Sequence, residues 1–130
     1  MPVGILLVTH EGIGAALAGV AGRLLRPVPL ALEAFEVPFD AGVDALLPMA
    51  SAALRRVDGG DGVLVLTDLY GATPSNLAAR LSRLGTPVRR VSALSLPMLL
   101  RVLNYPEMQL DAMPGIATAG TRNGAVVDDG

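Results

Sequence analysis

Two hydrophobic periods alternate along the chain. Val3 to Val8 is a short apolar run that stops at Thr9-His10, with glycines at 12 and 14. It predicts a buried strand. In the stretch that follows, Ile13, Leu17, Val20, Leu24 and Leu25 recur at helical spacing, and Pro27 ends the pattern. Residues 30–37, LALEAFEV, alternate in part and predict a second strand. The next apolar stripe, DAGVDALLPMASAALRRV, predicts a helix with Asp40 as N-cap and a kink or a late start at Pro48. After the turn DGGDG, the β-branched run VLVLT at 63–67 is the clearest strand signal. TPSNLAARLSRL then predicts a helix with Thr73 as N-cap, Pro74 in its first turn, and Leu77, Leu81 and Leu84 as its apolar stripe.

A fourth strand is expected over residues 88–94, VRRVSAL, and a short helix from Pro97. A last helix is expected from Pro106 to about Thr121, disturbed at Pro114, and GAVVDDG reads as a short strand or a loose tail. The order β-α-β-α-β-α-β-α-α implies a parallel sheet wound by right-handed crossovers. The expected fold is α/β and flavodoxin-like, an open, mostly parallel sheet of strand order 2-1-3-4 with helices on both faces. Residues 1–130 are expected to form one domain.

Composition narrows the chemistry. Apolar residues make up 52% of the chain, aromatics 3% and charged residues 17%, so the core must be aliphatic. Without cysteine there are no disulfides, no thiolate nucleophile and no cysteine zinc site. A single histidine cannot build a histidine metal cluster, and no metal or other cofactor is expected. All ten basic residues are arginines, so no lysine can act as nucleophile or phosphate clamp. A net charge of −2 without a basic run argues against nucleic acid as a partner. The start lacks a basic n-region and no apolar stretch is long enough to span a bilayer, so a cytoplasmic protein without membrane insertion is expected.

The one histidine therefore stands out. In an open parallel sheet, ligands bind beyond the carboxyl ends of the strands, where the winding reverses. With order 2-1-3-4, the residues past strand 1 (Thr9-His10-Glu11-Gly12) lie beside those past strand 3 (Asp68-Leu69-Tyr70-Gly71). His10 and Asp68 are predicted to meet there. An imidazole nitrogen can attack phosphorus. A carboxylate on the other ring nitrogen fixes the tautomer and stabilises developing positive charge. The two helix starts at this end, after Gly12 and at Thr73, offer N–H groups to phosphate oxygens. Thr9, Gly12, Gly71 and Thr73 are the candidate phosphate-binding positions, the Thr73 hydroxyl being able either to cap its helix or to donate to phosphate. Glu11 and Asp40 read as solvated charges, Tyr70 as a lid or contact residue, and Met98, Met108 and Met113 as core.

Three stretches carry a family resemblance: GILLVTHEGIG, GVLVLTDLYGATPSNLAARL and SLPMLLRVL. In order and spacing the chain resembles the enzyme IIA domain of the mannose-type phosphotransferase system. The resemblance implies a phosphoryl carrier. His10 would accept phosphate from the phosphocarrier HPr and pass it to a IIB component during sugar uptake, with Asp68 as its hydrogen-bonding partner. It also implies a homodimer that exchanges a C-terminal antiparallel strand. One position departs from the family pattern: Ser95 stands where an asparagine is common.

Two other readings use the same histidine. A stand-alone regulatory phosphoprotein of a truncated phosphotransferase system would differ in its target. The phosphocarrier subunit of dihydroxyacetone kinase shares the fold, but its motif after the third strand is closer to Asp-Leu-Gly-Ser-Ala than to DLYGATPSN. A receiver-like domain lacks support, because the chain has neither an acidic cluster after strand 1 nor a lysine.

Overall fold

The computed structural model describes residues 2–130. Four strands, β1 (Gly4–His10), β2 (Leu32–Val37), β3 (Val63–Thr67) and β4 (Val88–Val91), form one all-parallel sheet in the order β2-β1-β3-β4. Helices α1 (Gly14–Leu24), α2 (Val43–Val57), α3 (Thr73–Leu81), α4 (Leu96–Leu103) and α5 (Met113–Gly124) cover both faces. This is the flavodoxin-like arrangement expected from the hydrophobic pattern.

Because successive strand side chains point to opposite faces, the central strands feed two separate cores. Ile5, Leu7, Leu64 and Leu66 pack with Met98, Leu99, Met113 and Ala117 under α1, α4 and α5. Leu6, Val8, Val63 and Val65 pack with Leu54, Leu77 and Leu81 under α2 and α3. Strands buried on both faces read as continuous apolar runs, which is why β1 and β3 are legible. Met98 and Met113 are core residues, and Met108 packs at the core's edge.

Several local expectations are corrected. The buried face of α1 is Gly14, Leu17, Ala18 and Ala21, with Leu25 just beyond. Ile13, Val20 and Leu24 point outward. The small residues win the inner face because α1 packs closely on the sheet. Asp40 does not cap α2, which starts later, with Gly42 at the N-cap. Pro48 lies within this helix, which runs on without interruption. Thr73 is the first residue of α3 rather than its cap; Ala72 holds that position and supplies no side-chain cap. Leu84 lies beyond α3 and is exposed. The last helix begins only at Met113, where Pro114 sits in the first turn and needs no N–H partner. Residues 125–130 form no strand in the single chain.

Among the described residues, no helix is long and apolar enough to cross a membrane.

Candidate functional site

At the carboxyl edge of the sheet, His10 ends β1 and Asp68 directly follows β3. The two strands are neighbours, paired from Gly4↔Val63 to Val8↔Thr67. That register brings together two residues 58 positions apart in the chain. The imidazole Nδ1 lies 2.8 Å from Asp68 Oδ2. The same oxygen accepts the His10 backbone N–H at 3.1 Å. One carboxylate oxygen thus holds both the strand end and the ring. Side-chain exposure is 22% for His10 and 10% for Asp68, so the pair is largely sheltered from solvent, His10 more exposed than Asp68. Asp68 Oδ1 is buried and has no hydrogen-bond partner among the described residues. Native folds seldom leave such an oxygen unsatisfied away from functional sites.

With Nδ1–H donated to Asp68, the other ring nitrogen, Nε2, carries the lone pair. The pair can therefore present a nucleophilic nitrogen of fixed tautomer.

Thr9 is fully buried, and its hydroxyl donates to the His10 carbonyl at 2.8 Å. It also accepts the Gly14 N–H at 2.9 Å. Gly12 adopts φ +90°, a left-handed turn suited to glycine. Its N–H donates to Glu36 Oε1 at 3.1 Å, and the Ala15 N–H donates to Glu36 Oε2 at 2.9 Å. The N-terminus of α1 is therefore already engaged by a carboxylate. The Ala15 and Gly12 amides hold the Glu36 carboxyl below its ordinary value of 4.5.

The second helix start is different. Gly71, at φ +85°, turns the chain from Asp68 into α3. No side chain caps this helix, and the half-buried Thr73 opens it. The first amides of an uncapped helix lack intrahelical acceptors.

An apolar rim surrounds the histidine loops. Ile13, Leu69 and Tyr70 are exposed on them, and Phe39 from the β2–α2 loop stacks on the imidazole. Glu11 accepts the Phe39 N–H at 3.1 Å, so it is more than a solvated charge. Ser95 is the N-cap of α4, accepting the Met98 N–H at 3.2 Å. An asparagine would serve equally as a cap.

Glu36 and Phe39 escaped the sequence reading. Glu36 carried a usable signal, since it lies one residue before the end of a strand that flanks β1. Phe39 sits in a loop, and its contact with the ring has no sequence signature. Among the described residues, no group of three or more His, Cys, Asp or Glu side chains is placed to hold a metal ion.

Residues 4–115 match the family model described as PTS system fructose IIA component. The chain is 28% identical over 116 residues to the transcriptional regulatory protein LevR of Bacillus subtilis (strain 168). That match takes in 85% of this chain but only 12% of LevR. The fold is similar to the mannose/sorbose-specific IIA subunit of the phosphotransferase system from Enterococcus faecalis, with a TM-score of 0.86 at 20% identity over 99% of this chain and 96% of that one. It is also similar to a phosphotransferase system component EIIA from Streptococcus agalactiae, with a TM-score of 0.79 at 22% identity over 96% of each chain. A sigma-54 interaction domain protein from Enterococcus faecalis shares the fold as well, with a TM-score of 0.78 at 15% identity over 95% of this chain and 93% of that one.

Proposed function

The chain belongs to the PTS system fructose IIA component family, and from that premise we propose that it is a phosphoryl carrier whose transient adduct forms on Nε2 of His10. The observation that carries this reading is the 2.8 Å contact between the single histidine and the sheltered Asp68. In the proposed step, the Nε2 lone pair attacks the phosphorus of a phosphohistidine donor such as phospho-HPr. The Nε2–P bond forms as the donor N–P bond breaks, and that electron pair returns to the donor nitrogen. The Nδ1 proton stays on the ring, held by Asp68, whose charge stabilises the developing imidazolium. The reverse sequence hands the group to an acceptor, a IIB component in the transport reading.

Phosphate oxygens would be received on the α3 side, by the Gly71–Thr73 turn and the Thr73 hydroxyl. Thr9 and Gly12, also expected at the phosphate site, already have the hydroxyl and the N–H engaged by the His10 carbonyl and Glu36, and would instead shape the loop beneath. Phosphoryl transfer gains chiefly from positioning and charge stabilisation, and these parts supply both without a cofactor. The reading treats residues 1–130 as one IIA-type unit acting in the cytoplasm.

The dimer belongs to this proposal too. The β4 edge faces a groove lined by Arg89, Arg90 and Thr118, while Val126 and Val127 are exposed in the tail. A tail strand exchanged between two copies would cover both.

A regulatory role is the second reading. It is favoured by the likeness to LevR, described as a transcriptional regulatory protein, and to the sigma-54 interaction domain protein. Incubation with enzyme I, HPr and phosphoenolpyruvate, followed by intact mass spectrometry, tests the chemistry that both readings share. One phosphoryl group per chain is expected, stable in base and labile in acid. A chain that stays unlabelled overturns the proposal.

A further inference from the structure

The two phenylalanines of the chain have contrasting surroundings. Phe35 packs against the core under α2 and α3. Phe39 belongs to neither core and is 76% exposed. Leaving most of a phenyl in water forgoes the burial that normally justifies the residue. Among the described residues its aromatic contact is the imidazole of His10, with centroids 5.3 Å apart and planes 25° apart. The loop is held for this contact: the Phe39 N–H donates to Glu11 Oε1 at 3.1 Å, and the Ala41 N–H donates to the Pro38 carbonyl at 3.2 Å.

A histidine ring needs such a contact. Its χ2 torsion joins sp³ to sp² carbon and has broad minima. Asp68 restrains the ring at Nδ1 alone, which leaves it free to rock about the Cβ–Cγ bond and swing Nε2 off line. A phenyl laid against one face blocks that motion. It also presents its electron-rich face to the ring as positive charge develops there.

We infer that Phe39 is a positioning residue for His10, stacked on the imidazole so that Nε2 keeps the direction needed for phosphoryl transfer. The inference rests on the phosphoryl-carrier reading of the site. The stack acts on the ring itself, so its effect must persist when no partner protein docks.

The test uses phosphoramidate as a small donor. Its P–N bond breaks as the Nε2–P bond forms, and its nitrogen leaves as ammonia. The expected rate for Phe39→Ala is about 3- to 10-fold below wild type, the range that an aromatic pair supplies. Phe39→Tyr keeps the stack and should stay within about 2-fold of wild type. A Phe39→Ala chain labelled at the wild-type rate, even if slowed with phospho-HPr, makes Phe39 a docking contact and overturns the inference. So does a Phe39→Tyr chain as slow as the alanine variant.

Proton NMR of the unphosphorylated protein tests the stack independently. The single histidine gives one resolved pair of ring signals, which should move downfield in Phe39→Ala as the ring current is lost. Unmoved signals overturn the inference whatever the chemistry. A wild-type chain that phosphoramidate and phospho-HPr both leave unlabelled removes the carrier reading instead, while the NMR shift still reports on the stack.

Discussion

Two helices begin beside His10, and they begin differently. The amides at the start of α1 are taken: Ala15 by Glu36, which also takes Gly12 in the turn before the helix, and Gly14 by the Thr9 hydroxyl. The start of α3 has no side-chain cap and opens on Gly71 and Thr73. A helix N-terminus attracts one anion readily, because its partial positive charge is confined to the first turn. At α1 that anion is part of the protein. At α3 no side chain among the described residues takes that place. The difference teaches that a glycine-bearing turn before a helix does not by itself mark a phosphate site. What matters is whether the fold has already filled it.

The comparison is broken most directly at the residue both helices flank. His10→Ala should abolish labelling by phospho-HPr, as read by intact mass spectrometry. Residual labelling at full stoichiometry would place the nucleophile elsewhere. Next in size is Asp68→Asn. An amide can present its NH₂ to Nδ1 and favour the wrong tautomer, so transfer should fall roughly 10- to 1000-fold. Circular dichroism should confirm an intact fold. A folded variant with the wild-type rate would make Asp68 a structural residue only.

Thr73→Ala sharpens the comparison. Loss of one donor to a phosphate oxygen should slow transfer about 10-fold, with little change in stability. Glu36→Gln probes the other helix and should do the reverse. Transfer should stay within about 2-fold, while Tm falls by about 2–4 °C through the weakened cap. That stability difference has a defined pH dependence. The folded pKa of Glu36 lies below its ordinary value of 4.5. Its contribution is therefore complete above that value and is lost as pH falls through the lower folded value. Wild type and Glu36→Gln should converge in Tm under acid conditions. If Glu36→Gln slows transfer as much as Thr73→Ala, the two helix starts are not distinct in function.

The contrast also marks where sequence reasoning reaches its limit. β1 and β3 are legible because strands covered on both faces must be apolar throughout. Handedness and connectivity limit the possible strand orders, and the flavodoxin-like order, once taken, brings His10 and Asp68 together. The inner face of α1 is read only in part: Leu17 and Leu25 pack inward as expected, but Gly14, Ala18 and Ala21 go unnoticed because glycine and alanine carry a weak hydrophobic signal, although close packing favours them. Thr73 reads as a cap because its residue type suits one, yet the chain turns a residue earlier. The Glu36 contact needs the end of β2 to be placed beside β1 within one residue. Phe39 depends on loop geometry, which no periodicity encodes.

The doubly used oxygen of Asp68 has a consequence for how the protein fails. It grips the ring and the backbone of the same residue, and so refers the imidazole to the β1–β3 ladder. A slip of one residue in that ladder would displace the carboxylate by about 3.3 Å and send the apolar side chains of β3 to the wrong core. Such a slip has no partial form, because each face is packed against its own set of helices. The site is therefore present whole or absent. Damage to either core should reduce the number of competent molecules while each survivor works at full speed, so a sample losing its fold would lose titre before it lost tempo.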